Sequence, residues 1–482
     1  MPTLRIRGIY AAALTQLFAP YHTSWELVQP EDEIRAHVAH DWRMDSPDVD
    51  IDDAPDEQGH RDMIRVSGTP EAVTQALSIL QQQCFDVITH QQTLQLGAIY
   101  LGLVGICSQA RRRAIVYLGE GLAGVLPLRY EDRALRVGTY LPVRIAAPLA
   151  EGDNRPEIST SITVPGDYAV LTSAAAIRFS KQITEADQQE RLQRLGAAQD
   201  TGGWGIIWRT AAQHAEEQVL IAELQRLAQE AHALRERLRT TPTVGYVQGG
   251  EIVARVFLPG HAKAVCDTLR ATLLPTLPAH HKYKAQGDVY SATIDALEKE
   301  LPPEELQART RTLSVLASVN AMQAPIHNQI RLLVRDLERG VQDHGTTQLV
   351  AFDLHAGWVE LRQALPHKDA YPPDFPIDKQ PGDYTLTRFQ EGSWSYTMRF
   401  YSRTNDWKGD YACLTTPIAI FADQLHVVNV HVAVWRTPQY APALIGMETL
   451  QRLQQQGVVT AALTAKMQTE GEKVLEEWRQ QT

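Results

Sequence analysis

A chain of 482 residues has room for three or four domains at ~100–200 residues each, so core size excludes nothing. A net charge of -11 excludes a protein that coats nucleic acid over its whole surface, because polyanion binding needs clustered Lys and Arg. Cys84, Cys107, Cys266 and Cys413 stand far apart with no CxxC pair, which predicts neither disulfides nor a structural zinc site.

The start, MPTLRIRGIY, lacks the basic-then-apolar pattern of a leader, and no apolar run approaches the ~20 residues that span a bilayer. The expectation is a cytoplasmic protein with no membrane partner. Residues 1–95 read as an N-terminal α+β domain. Within it, "DSPDVDIDDAPDEQG" (45–59) puts Asp48, Asp50 and Asp52 on one face if it is a strand, since side chains alternate with period two. Three carboxylates there would hold magnesium. The other reading is a solvated acidic edge, because Pro47, Pro55 and Gly59 break the segment. "TPEAVTQALSILQQQCFDVI" (69–88) predicts an amphipathic helix capped by Thr69 with Pro70 at its first position.

From 96 to 150 short apolar runs punctuated by glycine predict a small OB-type β-barrel. Arg111, Arg112, Arg113, Arg129, Arg133, Arg136 and Arg144 face only Glu120, Glu131 and Asp132 in this window, which reverses the sign of the whole chain. A basic face on a small barrel fits single-strand nucleic-acid binding. An arginine-rich hairpin paired with the acidic stretch is the alternative. Residues 151–215 form a further segment that contains "GGWGIIWRTAA" (202–212).

Residues 216–342 read as a helical and mixed linker. Over 216–239, Leu220, Leu224, Leu227, Ala231, Leu234 and Leu238 repeat at coiled-coil spacing, a seam for a homodimer or for an intramolecular helical hairpin. Two helical stretches follow around 303–341. Residues 343–482 predict a C-terminal β-barrel with a terminal helix at about 447–479, with Pro372, Pro373, Pro376 and Pro381 keeping two strands apart. The expected fold class is therefore α+β and multidomain. An OB-type β-barrel is inserted in an α/β N-terminal region, then come a long helix or helical hairpin and the C-terminal β-barrel.

"RPEISTSITVPGDYAVLT" (155–172), "FSKQI" (179–183) and "GGWGIIWRTAA" resemble ribonuclease E/G in order and spacing. "RGIYAAALTQL" (7–17), "LPAHHKYKAQG" (277–287) and "PGDYTLTRFQEGSWSYTMRFYSR" (381–403) resemble the smaller ribonuclease E/G-like family of AU-rich RNA-binding proteins of archaea. The resemblance implies that Arg209 and Thr210 contact a 5' or backbone phosphate of RNA, the arginine through a bidentate fork. Lys181 keeps one charge of that family's basic pair, and Gln182 replaces the other. On the barrel, Arg111, Arg112, Arg113, Arg129 and Arg144 would carry RNA contacts. The family's two base-stacking aromatics fall at Ile115 and Val125, so binding there would lean on arginine and phosphate.

The magnesium-holding catalytic domain of ribonuclease E has no counterpart in the chain. For acid-base or phosphate chemistry, "HHKYK" offers His280, His281 and Lys284, because imidazole exchanges protons near neutrality. A structural turn is the alternative for that pair. The C-terminal domain resembles bacterial nucleoside di- and triphosphate phosphatases, which implies phosphate contacts at Arg403, Lys408 and Tyr411. Asn429, Ala433 and Cys413 stand where those relatives carry two aspartates and an asparagine, which removes charges that magnesium relies on. The cofactor is thus unassigned, with magnesium the candidate. The expected function is an RNA-binding protein with endoribonuclease activity on structured RNA such as ribosomal precursors. Its partner would be single-stranded or loop RNA, 5'-phosphorylated RNA among them. The alternatives are a non-catalytic RNA scaffold or 5'-end sensor, and a nucleotide phosphatase with an RNA-binding extension.

Overall fold

A computed structural model describes every residue except 39–41, 44–46, 57, 92–94, 109, 111, 120, 129–134, 148–154, 303, 304, 306–328, 354, 355, 366–371, 373, 374, 422, 423 and 482. The fold is mixed α+β, as the pattern predicts.

The N-terminal sheet has six strands in the order Glu26–Leu27, Thr3–Ile6, Val49–Asp53, Met63–Gly68, Ile252–Phe257 and Ile88–Gln91. Alternation explains the inner strands: Val49, Ile51, Ile64 and Val66 point into the core, and the residues between them face out. The three acids of the 45–59 segment are matched by neighbours. Asp48 accepts from the Thr3 backbone at 2.8 Å, Asp50 from Arg5 at 2.9 Å and Asp52 from Arg65 at 3.0 Å. That pairing supports the edge reading over the magnesium one. Helices Ala11–Phe18, Pro70–Gln83 and Gly260–Arg270 cover the sheet through Leu14, Leu80 and Cys266. Thr69 caps the second of these by position, without a side-chain hydrogen bond, and the helix stops at Gln83 rather than running on to 88.

Sequence reasoning assigned Ile252–Phe257 to a linker, yet it is an inner strand of this sheet. It pairs antiparallel with Met63–Gly68 on one side and with Ile88–Gln91 on the other. Everything between Ile88–Gln91 and Ile252–Phe257 is therefore an insertion. Its ends meet: Leu96 and Glu251 exchange backbone hydrogen bonds of 2.9 and 2.7 Å.

The insertion holds two units. The first is a closed barrel of five strands, Ile99–Ser108, Arg113–Gly119, Leu122–Pro127, Glu157–Ser159 and Tyr140–Ala147, with Gly245–Gln248 added at the edge. The second is a four-stranded sheet, Thr163–Pro165, Ala169–Thr172, Gly205–Trp208 and Ile177–Phe179. Helices Ala186–Ala197 and Glu217–Thr240 cover it. Leu220, Leu224, Leu227, Ala231 and Leu234 lie in one apolar cluster with Leu171, Ile206 and Trp208. The leucine seam thus serves the chain's own sheet, and the homodimer expected through it loses its contact face.

The C-terminal sheet is a curled half-barrel of ten strands, not a closed barrel. It begins at Gln329–Asp336, where a helix was expected, and that strand runs parallel to Gln424–Asn429. The remainder of the expected helical stretch, 306–328, lies outside the described residues. The prolines between 372 and 381 do not separate strands, because Trp358–Ala364 pairs directly with Tyr384–Gln390. The terminal helix is two helices, Met447–Gln455 and Ala461–Gln480, broken around Gly457. An apolar cluster of Ile88, Phe257, Leu414, Val428, Leu450 and Leu463 joins this domain to the N-terminal sheet. The Thr89 amide also donates to the Val458 carbonyl at 2.8 Å.

None of the residues packed in the N-terminal core lies between Val87 and Ile252. A chain in which residues 97–250 are replaced by an Asn-Gly turn, which suits a two-residue hairpin, is expected to keep one cooperative melting transition by near-ultraviolet circular dichroism. A broad, non-cooperative melt would show that the N-terminal sheet needs the insertion to fold.

Candidate functional site

The segment from 163 to 213 brings Arg209, Thr210, Ser180, Lys181 and Gln182 to one edge. Strands Ile177–Phe179 and Gly205–Trp208 run parallel with Phe179 opposite Trp208, so the residues that follow each strand emerge side by side. The Ser180 amide donates to the Trp208 carbonyl at 2.8 Å. The Thr210 hydroxyl donates to the Gln182 side chain at 3.0 Å and lies 3.0 Å from the Ser180 hydroxyl. Arg209 occupies the junction between the strand and a short 3₁₀ turn, Thr210–Gln213. Its amide donates to the Tyr168 carbonyl at 2.8 Å. Tyr168 is held in turn by Glu223 on the long helix, whose carboxylate accepts from the Tyr168 amide at 2.9 Å.

The Arg209 and Lys181 side chains are exposed, and among the described residues neither has an ion-pair partner. A buried clamp between Arg209 and an acid, the structural alternative for this arginine, is therefore absent. Two exposed cations thus follow adjacent strand ends beside the Ser180 and Thr210 hydroxyls, with no carboxylate paired to either among the described residues. Such a group can take an anion with several oxygens.

On the barrel, Arg112 is exposed in the turn that leads into Arg113–Gly119, and Arg136 is exposed beyond it. Arg144 is half-buried and donates from Nε to the Ser161 carbonyl at 3.2 Å, which ties the barrel to the phosphate-like segment. Burial holds its guanidinium below the usual arginine range. Arg111 and Arg129 lie outside the described residues. Ile115 and Val125 are cross-strand partners, and Ile115 is buried, so no base stacks there.

Sequence reasoning missed two aromatics close by. Tyr117 stands two residues along from Ile115, on the same face of the strand. It is directly opposite Leu103, and Leu103 is opposite Tyr140 on the next strand. Register partners share a face, so the two tyrosines flank Leu103, roughly 10 Å apart by strand spacing. They are 48% and 56% exposed. The Tyr117 ring occupies the space that a side chain at Gly105 would need. Period-two alternation from Ile115 to Tyr117 was the signal that could have found this face.

The histidine pair is buried structure. His280 and His281 have no exposed surface. His280 Nδ1 lies 2.7 Å from Glu298, and Arg270 reaches the same carboxylate at 2.9 Å. His281 Nδ1 lies 2.6 Å from Asp267, and its ring stacks on Tyr10 at 4.8 Å. Burial pushes the His280 pKa down to about 2, aided by the neighbouring His281, Arg270 and Lys284 charges. Glu298 would favour a charged imidazole, but Arg270 already neutralises it. Lys284 pairs with Asp295 at 2.5 Å. These three residues therefore hold the helix His280–Lys284 in place and do not present catalytic groups.

In the C-terminal domain Lys408 is bound to Asp383 at 2.6 Å, and Tyr411 is buried against Phe375 in an apolar cluster. Neither offers the phosphate contact that the phosphatase resemblance implies. Arg403 is exposed beside Gly382.

A five-stranded OB-type barrel next to an edge of exposed cations and hydroxyls defines the class: a multidomain α+β protein with a barrel and a cationic edge in one insertion. Residues 163–263 match the Ribonuclease E/G family, and the chain is ribonuclease E/G-like, as its motifs indicated. It is 28% identical over 471 residues to a protein named "Probable ribonuclease FAU-1" from Thermococcus gammatolerans, covering 96% of this chain and 95% of that one. Proteins of the same name from Pyrococcus abyssi and Halobacterium salinarum are 28% and 26% identical, covering 96% and 98% of this chain. Among solved structures, the phosphatase SC4828 with the non-hydrolysable nucleotide GPCP aligns with 31% of this chain at 14% identity and a TM-score of 0.26.

The burial of His280 sets a pH dependence. In the unfolded chain an imidazole titrates near 6.5, and in the folded protein His280 stays neutral far below that. Between those values unfolding takes up a proton, so stability falls as pH drops below 6.5, by ~1.4 kcal/mol per pH unit for each such histidine. Chemical denaturation at pH 7, 6 and 5 is expected to show this slope, and His280→Gln to reduce it. An identical slope in the variant would refute the assignment.

Proposed function

We propose that the protein binds RNA and acts as an endoribonuclease in the maturation or turnover of structured RNA such as ribosomal precursors. The observation that carries this reading is the end-to-end likeness to proteins named probable ribonucleases, combined with an Arg209 that is exposed and unpaired among the described residues. In this reading the edge formed by Ser180, Lys181, Arg209 and Thr210 takes a 5' phosphate. The guanidinium supplies two parallel donors, and the hydroxyls and ammonium complete the shell. The barrel then receives the single strand: Arg112, Arg113 and Arg136 follow the backbone, and bases stack on Tyr117 and Tyr140. Separating these tasks suits a processing enzyme, because phosphate contacts position RNA without reading its sequence.

Two measurements test the interface. Arg209→Lys is expected to weaken binding of 5'-phosphorylated RNA almost as much as Arg209→Ala, since lysine cannot form the fork. Both variants should bind 5'-hydroxyl RNA like the parent. Equal losses on both RNAs, with a lower melting temperature, would sink the phosphate role.

Tyr117→Ala and Tyr140→Ala are each expected to reduce single-stranded RNA affinity by roughly 5- to 100-fold, the range for loss of one stacked base. The phenylalanine variants should retain affinity, and duplex binding should not change. The platform is wrong if the alanine variants bind single strands as tightly as the parent. Incubation of the purified protein with a folded ribosomal precursor tests the nuclease activity itself. Tight binding without cuts would favour a scaffold or sensor.

A further inference from the structure

The junction between the N-terminal sheet and the half-barrel encloses a cleft of about 1290 Å³. His60, Asp62, Lys263, Lys282, Arg335 and His426 line it, and no function has yet been found for them. Most of its charges are matched. Lys263 pairs with Asp62, and Lys282 with Glu391 at 2.8 Å.

Arg335 differs from these pairs. Its guanidinium lies 4.1 Å above the Phe257 ring, half-buried, with no ion-pair partner among the described residues. Asp62 and Asp56 attract it without a direct ion pair, and a half-buried cation so placed favours an anion that enters the cleft.

Two imidazoles stand within the same space. The His60 and His426 rings are 6.2 Å apart. His60 Nδ1 lies 3.1 Å from Asp56, whose other oxygen accepts the His60 and Gln58 amides, each at 2.9 Å. An ionised carboxylate only accepts, so the Asp56 contact puts a proton on Nδ1 and turns Nε2 toward other work. His426 packs against Phe421 at 4.8 Å, and its buried Nε2 has no hydrogen-bond partner among the described residues. Burial pushes the His426 pKa down to about 4, against the pull of Asp62. It is therefore neutral near pH 7.

We propose that this cleft is the RNA-cleaving centre, with His426 as general base, His60 as general acid and Arg335 holding the scissile phosphodiester. The inference rests on the endoribonuclease reading above. His426 takes the proton of the ribose 2'-hydroxyl, and the 2'-oxygen forms a bond to phosphorus. The bond from phosphorus to the 5'-oxygen breaks, and protonated His60 gives its Nε2 proton to that leaving oxygen. The products are a 2',3'-cyclic phosphate and a 5'-hydroxyl end. The two histidines return to their starting states by proton exchange with water. Atoms and charge balance without a cofactor, and each imidazole needs to come within ~2.6–3.2 Å of its oxygen.

The test uses the full-length protein and a folded ribosomal-RNA precursor in the presence of EDTA. The parent is expected to cut, leaving 5'-hydroxyl ends that polynucleotide kinase labels directly. A single 2'-deoxynucleotide at the mapped site should abolish that cut, an arm that needs no variant. His60→Ala and His426→Ala should each cut at least ~100-fold more slowly, the usual cost of losing one acid or base, with RNA affinity and melting temperature retained, and Arg335→Ala should also slow cutting with its melting temperature retained. His60→Asn and His426→Gln serve where an alanine variant fails to fold. Cutting that persists in these variants, that ignores the 2'-deoxy substitution or that leaves 5'-phosphates would overturn the cleft while the nuclease reading stands. No cutting of any RNA by the parent, with or without magnesium, would remove the nuclease reading and this inference together.

Discussion

The strand Ile252–Phe257 is the constraint on which the rest of the structure depends. It lies inside the N-terminal sheet although about 160 residues separate it from its neighbour Ile88–Gln91. Val256 and Ala254 are fully buried, so a one-residue slip would turn the core face outward. Because the register is fixed, the insertion leaves and returns at one point, and its two units fold on their own cores. The same strand sets the cleft. Leu258 donates to the Asp62 carbonyl at 2.9 Å just before the helix that carries Lys263, and Phe257 provides the ring beneath Arg335.

Burial, rather than residue type, separates working groups from supporting ones. His280, His281 and Lys284 have the chemistry of a catalytic group, yet each is matched by a carboxylate of the chain itself. Arg209 and Lys181 have no such match among the described residues and stay in water, where an incoming phosphate meets little competition. Arg335 is intermediate, half-buried and without a direct ion pair among the described residues. Unpaired charge near solvent is where recognition energy remains available, since a satisfied ion pair has already spent its electrostatic attraction internally.

The leucine repeat over 216–239 shows the limit of pattern reading. Its periodicity gave the helix to within one residue at each end, because a 3.5-residue repeat admits little else. The partner was not in the pattern. The same stripe packs against a sheet or a second helix equally well, and only the turn at Tyr168, held by Glu223, brings the sheet under it. Likewise the outward face of the barrel was legible at Ile115, but its two aromatic members, Tyr117 and Tyr140, lie on strands either side of Leu103, which only the register assembles.

The sequence by itself determined the mixed α+β class, the presence of an OB-type barrel, the long helix and the ribonuclease E/G-like segment with Arg209 and Thr210, although the barrel also takes Glu157–Ser159 and Gly245–Gln248 from outside the expected 96–150. Those features rest on local alternation, heptad spacing and short contiguous motifs. Only the tertiary structure decided that 252–257 completes the first sheet, that the histidine pair is buried, and that His60 and His426 meet across a cleft. The physical reason is range. Periodicity is imposed by neighbours three or four residues away, whereas the charges that surround His426 include Asp62, Lys263 and His60, more than 150 residues distant, and burial and charge pairing depend on those.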